Sequence, residues 1–282
     1  MSHRFTMIVA AVAAAGSAVA LAITPIASGA SSLPTINVAL TGTTGVKVSG
    51  STVSGAVNIV STFTGKAPSG HNSNGPSFGI VRLNPGATIQ QAAGAVQSHH
   101  GDINALDQYG ALIVSASAPG TIQTTLTPGD SYVALNITGN GQPGIAPFTV
   151  TQSTSPAALP AAAATETAIE FGFRGPTVLH DGTTVRAENG GYLVHMITMF
   201  RVKDKATGKK VVALLKAGKD APAERLARPP FLGLLNPASP GAMQQQTLKA
   251  TPGYYIEACF MTTEDGREHT RLGMERLVKV VK

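Results

Sequence analysis

The chain has 282 residues and a formal charge of +6, which at roughly 100–200 residues per domain allows one large domain or two small ones. Aromatic residues make up 5%, tryptophan is absent, and there are 31 glycines and 18 prolines, a composition that favours many turns and short strands over a helical bundle. The basic excess lies in the second half, with 17 Lys and Arg against 12 Asp and Glu from residue 161 onward; the signs are interspersed and no aromatic–basic stripe exists, which argues against a nucleic-acid partner.

In chain order, residues 1–30 read as a secretory signal peptide. "MSHRF" is the positive leader, "TMIVAAVAAAGSAVALA" the apolar core, and Ser28 and Ala30 the small residues before a cleavage point. The apolar run is short for a membrane anchor of about 20 residues, and no later segment is long and apolar enough to span a bilayer. The expected location is therefore secreted, extracellular or cell envelope. The chain has one cysteine. A lone cysteine in an oxidising compartment is a liability unless it is buried, ligated or paired with another chain.

The rest of the sequence repeats one order of features. "VKVSGSTVSGAVNIVSTF" (46–63) alternates in the manner of strands, and "TIQQAAGAVQ" (88–97) predicts a short helical insert. "SAPG" (117–120), "TPGDSY" (127–132) and a closing "FTV" (148–150) follow. The second half has "TTVRAENGG" and "YLVHMITMFRV" as strands, "KKVVALLKAG" (209–218) with "APAERLA" (221–227) as the insert, then "ASPG" (238–241), "TPGYYI" (251–256) and "LVKVV" (277–281). "KDKATGKK" (203–210) reads as a solvated turn. Self-similarity of this length indicates two related domains rather than a solenoid. The prediction is a mainly β protein of two tandem Greek-key β-sandwich domains, each with a short helical insert, over 33–150 and 168–282. The Ala/Pro/Ser/Thr-rich stretch 151–167 is expected to be an extended linker.

The second half resembles a cupredoxin-like domain of the plastocyanin/azurin type, as found in exported bacterial proteins. The likeness rests on a His following an Asn-Gly turn in "AENGGYLVH", on "TPGYYIEAC" as the strand that delivers a Cys, and on "HTRLGM" as the end of a ligand loop. It covers 168–282, with 36–150 as a degenerate copy. The resemblance implies His195, Cys259, His269 and Met274 as ligands of copper. A thiolate, two imidazoles and a weak thioether suit both copper oxidation states.

Three features depart from that pattern. Nine residues separate Cys259 from His269, and the inserted "TTEDGRE" holds Asp265-Gly266, a hairpin signal. Strand alternation places Glu257 on the Cys259 face, where a carboxylate would raise the thiol pKa and need a partner such as an arginine. The more apolar face is the opposite one, carrying Tyr254, Ile256, Ala258 and Phe260. In the first half, alignment of "TPGDSYVAL" on "TPGYYIEAC" sets Leu135 against Cys259, and "VRL" on "FRV" sets Pro76 against His195. That unit is expected to hold no copper.

The expected function is an exported, non-catalytic cupredoxin-like protein with copper in its C-terminal domain, serving electron transfer or copper handling with a redox partner or a cell-envelope component. The alternative is a metal-free scaffold acting as a cell-envelope binding or structural module. "GPSFG" (75–79) matches the form of a hydrolase nucleophile elbow but lacks a strand leading into Ser77 and a helix leaving it.

Overall fold

The computed structural model describes residues 32–67 and 75–282; the expected leader at 1–30 lies outside them. The first unit contains β1 (Thr35–Thr41), β2 (Gly45–Gly50), β3 (Gly55–Thr64), β4 (Ser77–Leu83), α1 (Ile89–Ser98), a 3-10 turn at Ile103–Gln108, β5 (Gly110–Ser117), β6 (Gly120–Leu126), β7 (Gly129–Asn136) and β8 (Gly144–Val150). The second contains β9 (Ala164–Ile169), β10 (Gly172–Arg174), β11 (Val178–His180), β12 (Thr184–Asn189), β13 (His195–Val202), α2 (Lys205–Lys216), α3 (Asp220–Glu224), β14 (Arg228–Ala238), β15 (Met243–Thr247), β16 (Gly253–Ala258), a 3-10 turn at His269–Leu272 and β17 (Glu275–Val281). The expected pair of β-sandwiches is the architecture observed.

Each sandwich packs its own smaller sheet against half of a shared one. The smaller sheets run β5-β4-β7-β8 and β11-β17-β16-β13-β14, and the shared sheet runs β10-β9-β12-β15-β6-β3-β1-β2. Its order reads alike outward from the β15–β6 seam, and β1 with β3 and β9 with β12 are both parallel pairs. At the seam Gln245 pairs with Gln123, and Gln245 Nε2 donates to Gln123 Oε1 at 3.0 Å. The duplication read from "SAPG" and "ASPG" is thus a near-twofold repeat of strands. The stretch after β8 is pinned along the first unit, with Thr151 bridged to Val53 and Ala157 to Gly55, before it enters β9 at Ala164.

Two apolar cores result, one around Ile36, Ile59, Phe78 and Tyr132, the other around Val185, Ile197, Met199 and Tyr255. Each is tied at a corner by a buried tyrosine. Tyr132 donates its hydroxyl to Thr127 O at 3.0 Å, and Tyr255 donates to Thr251 O at 2.8 Å. These are the equivalent residues of the two "TPG" strands.

The helices explain the doubly apolar character of β16. Val211 and Leu215 of α2 pack on Ile256 and Ala258, while Tyr255 and Cys259 face the sandwich interior. Both faces are therefore buried, and the alternation grouping Tyr255, Glu257 and Cys259 on one face is the one observed, with that face turned to the sandwich interior. Helix α2 starts earlier than predicted and takes in most of "KDKATGKK". Asp204 caps it, accepting from the Thr207 N–H at 2.8 Å, and a side-chain acceptor there satisfies a donor that a helix start leaves open.

Replacing Tyr132 or Tyr255 by Phe removes a buried hydrogen bond without changing the ring. Each substitution is expected to destabilise the protein by about 0.5–1.5 kcal/mol, read as a lower urea midpoint with an unchanged slope.

Candidate metal centre

The inserted segment behaves as a hairpin. Thr262 bridges Glu268, the Gly266 N–H donates to Thr263 O at 2.8 Å, and the Thr263 N–H donates to Arg267 O at 2.9 Å. Gly266 has φ 79°, a left-handed value that glycine adopts without strain. The His269 N–H then donates to Met261 O at 2.9 Å. That bond closes the hairpin at its base, so only Phe260 and Met261 separate Cys259 from His269 along the remaining path. The long spacing is absorbed in a surface excursion.

His195 opens β13, Cys259 follows β16, and His269 opens the 3-10 turn before β17. Their donor atoms lie within 4.8 Å of one another. His195 Nδ1 and His269 Nδ1 are 3.1 Å apart, and Cys259 Sγ is 3.8 Å from the first and 3.3 Å from the second. All three residues are fully buried, as is Met274. Met274 packs in the same core cluster as Cys259. Its backbone binds both partners: its N–H donates to His269 O at 3.0 Å, and its carbonyl accepts from the Cys259 N–H at 3.1 Å.

Both rings turn Nδ1 toward the thiol and Nε2 away from it. His195 Nε2 lies 3.6 Å from Glu170 Oε1, whose carboxylate also accepts from the Tyr192 and Leu193 N–H groups. The carboxylate thus lies behind the imidazole, beyond hydrogen-bond distance of Nε2. Gly191 permits this approach, because a Cβ there would lie 2.7 Å from His195 Nε2. Glu170 and Gly191 were not singled out from sequence. Glu170 stands 25 residues before His195, in a different hairpin, and no spacing rule joins them. Phe171, beside Glu170, sets its ring edge-on to His269 at 5.3 Å.

Burial governs the protonation of the donors. It lowers His195 against the pull of Glu170, and with the neighbouring His195 it lowers His269 to about 4. It pushes the Cys259 thiol up to about 12, against N–H groups of Met196 and Met261. At neutral pH the imidazoles are thus uncharged and the thiol keeps its proton, which a metal would displace on binding. Two soft imidazoles and a thiol, dry and preassembled, fit copper in donor type.

Glu257 has the arginine it requires. Arg276, its cross-strand partner, donates Nε to Glu257 Oε2 at 2.6 Å, Nη2 to Glu166 and Nη1 to Gly175 O at 3.2 Å. Both carboxylates are fully buried. One cation thus serves two acids. Burial and then the Glu257 charge push Glu166 up to about 8 despite Arg276, and burial raises Glu257 as well.

The alignment of the first unit on the second needs correction. Arg82 pairs with Tyr132 as Arg201 pairs with Tyr255, so Asn136, not Leu135, stands at the position of Cys259. A register shift between Gly129 and Tyr132 inserts the extra residue. Leu135 packs beside Ala92 and Leu106 under α1, the place Ala258 takes under α2. Asn136 is fully buried and donates Nδ2 to Gly42 O at 3.2 Å and Gly45 O at 2.8 Å.

No family model matches the chain, and no curated protein matches it. Among solved structures it is similar to dithionite-reduced auracyanin from the photosynthetic bacterium Roseiflexus castenholzii, at 18% identity over 43% of this chain and 100% of that one, with TM-score 0.26. It is also similar to a multicopper oxidase, at 10% identity over 88% of each chain with TM-score 0.25. A third likeness is to a copper-containing nitrite reductase from Thermus scotoductus, at 12% identity over 88% of this chain and 61% of that one, with TM-score 0.23. At such TM-scores the likenesses carry no weight for function. The strand order and the placement of His195, Cys259 and His269 define a two-unit β-sandwich protein with a buried His–Cys–His cluster in its second unit.

An acid whose folded pKa lies above its unfolded value favours folding most below the unfolded value and loses that contribution as pH rises through the folded one. Glu166, moved from 4.5 to about 8, is therefore expected to lower stability between those pH values. Glu166→Gln should flatten this part of the pH dependence in urea unfolding of metal-free protein. Arg276→Met, which leaves both carboxylates unpaired, should destabilise by about 3–5 kcal/mol, more at pH 8 than at pH 5.

Proposed function

We propose that this chain is an exported, non-catalytic cupredoxin-like protein that holds copper in its C-terminal unit for electron transfer or copper handling. His195 Nδ1, His269 Nδ1 and the Cys259 thiolate would hold the ion, with the Met274 thioether as a weaker fourth donor. The observation that carries this reading is the convergence of three soft donors, from chain segments up to 74 residues apart, into one fully buried cluster. Copper bound there would supply one-electron chemistry between its two common oxidation states.

Burial supports a carrier over an enzyme, since a substrate has no open position beside ligands that solvent does not reach. The rigid strands and the closed hairpin keep the donors in place in either state. The Glu170 carboxylate lies 3.6 Å behind the His195 ring. A short apolar leader after a basic start and a single buried cysteine support export. Among the described residues no helix is long and apolar enough to cross a membrane. The partner would be a redox protein or a component of the cell envelope.

The protein, freed of metal and loaded with Cu(II), is expected to bind a single equivalent and to show an intense thiolate-to-copper absorption in the visible. Cys259→Ser should abolish that band, and His195→Ala or His269→Ala should lower copper retention against a chelator. Absence of Cu(I) and Cu(II) binding above background would overturn the reading in favour of a metal-free binding or structural module.

A further inference from the structure

We propose that Asn104, in the first unit, is a positioning residue for the metal centre of the second, so that the first unit acts as a clamp on the ligand-bearing segments. This rests on the copper-holding reading for its metal-dependent arm only. Asn104 lies in the 3-10 turn before β5. Its Oδ1 accepts from the Val194 N–H at 2.7 Å, across 90 residues. Its Nδ2 donates to Thr262 O at 3.1 Å, across 158 residues. Val194 immediately precedes His195. Thr262 begins the hairpin whose far end, Glu268, immediately precedes His269. One amide therefore joins the two segments that bring the donors together.

The bracket is itself held. Asp102 Oδ1 accepts from the Asn104 N–H at 2.9 Å and from its Nδ2 at 2.7 Å, which fixes the amide with oxygen toward Val194 and nitrogen toward Thr262. Both N–H donors of the side chain are used, and the amide could not be turned over without opposing oxygen to oxygen at Thr262. Val194 is fully buried, and its N–H has no backbone partner among the described residues. Losing Asn104 would leave that donor unmet, at the price of a buried unpaired polar group. The units are also registered by a reciprocal pair at the same interface. The Ser239 N–H donates to Leu112 O at 3.0 Å, and the Leu112 N–H donates to Ser239 Oγ at 2.9 Å. Ser239 follows Ala238, the cross-strand partner of His195, but neither bond is made to Val194, Thr262 or a donor residue.

That difference supplies the test. Full-length wild type, Asn104→Ala, Asn104→Asp and Ser239→Ala are compared in two measurements. In metal-free protein, amide hydrogen exchange at Val194 is read by NMR. Asn104→Ala should lose protection there while Ser239→Ala retains it; Asn104→Asp, which keeps the acceptor but sets a carboxylate oxygen against Asp102 Oδ1 and Thr262 O, should lose it in part. In Cu(II)-loaded protein, affinity and the thiolate-to-copper band are read. Asn104→Ala should weaken binding about 10–100-fold, as removal of groups that orient metal ligands does, and shift the band. Asn104→Asp, lacking the donor to Thr262, should fall between, and Ser239→Ala should match wild type. Val194 exchange and copper affinity in Asn104→Ala equal to those of Ser239→Ala would overturn the clamp. Should Asn104→Ala not fold, Asn104→Asp decides by the same copper readings. Should wild type take no copper, the functional reading falls, and Val194 exchange alone decides the clamp.

Discussion

The centre depends on one backbone hydrogen bond, from His269 N–H to Met261 O. It converts a loop too long for a compact ligand set into a short one carrying a hairpin. The exposed Asp265–Arg267 ion pair lies at the far end of that hairpin, away from the donors. The bond closes where the local ladder of Thr262 and Glu268 ends, so turn chemistry at Asp265-Gly266 and the position of a buried imidazole are coupled. Loop length along the chain is a weak guide to distance when part of the loop pairs with itself.

A second constraint is charge. Burying Glu257 beside a cysteine strand would be costly alone, and a second buried acid at Glu166 would make it worse. Arg276 answers both from the neighbouring strand and stacks over Phe173 at 5.8 Å. Burial raises both acids despite the Arg276 guanidinium beside them. The cluster joins β9, β16 and β17, so it ties the shared sheet to the small sheet behind the centre.

Much of this was legible in the sequence. The duplication appeared in "SAPG" with "ASPG" and in the paired "TPG" strands, because turns and strand starts tolerate few residue types. The grouping of Tyr255, Glu257 and Cys259 on one face followed from alternation, and the hairpin from Asp265-Gly266. The apolar outer face of β16 was puzzling only because a covering helix leaves no mark in the strand it covers. Leu135 was set against Cys259 since a one-residue bulge after Gly129 is invisible to gapless alignment. Glu170 and Asn104 act across long separations through hydrogen bonds to backbone, and backbone partners have no residue identity to read. The early start of α2 lay in Asp204, whose capping role competes with an equally plausible solvated turn.

Asn136 has a consequence for how the protein is made. In the first unit a buried amide anchored to the carbonyls of Gly42 and Gly45 holds the site where the second unit has a thiol. The same sandwich, with the same tyrosine corner, therefore forms around either side chain at that position, an amide satisfied by backbone carbonyls in one unit and a thiol packed in the core in the other.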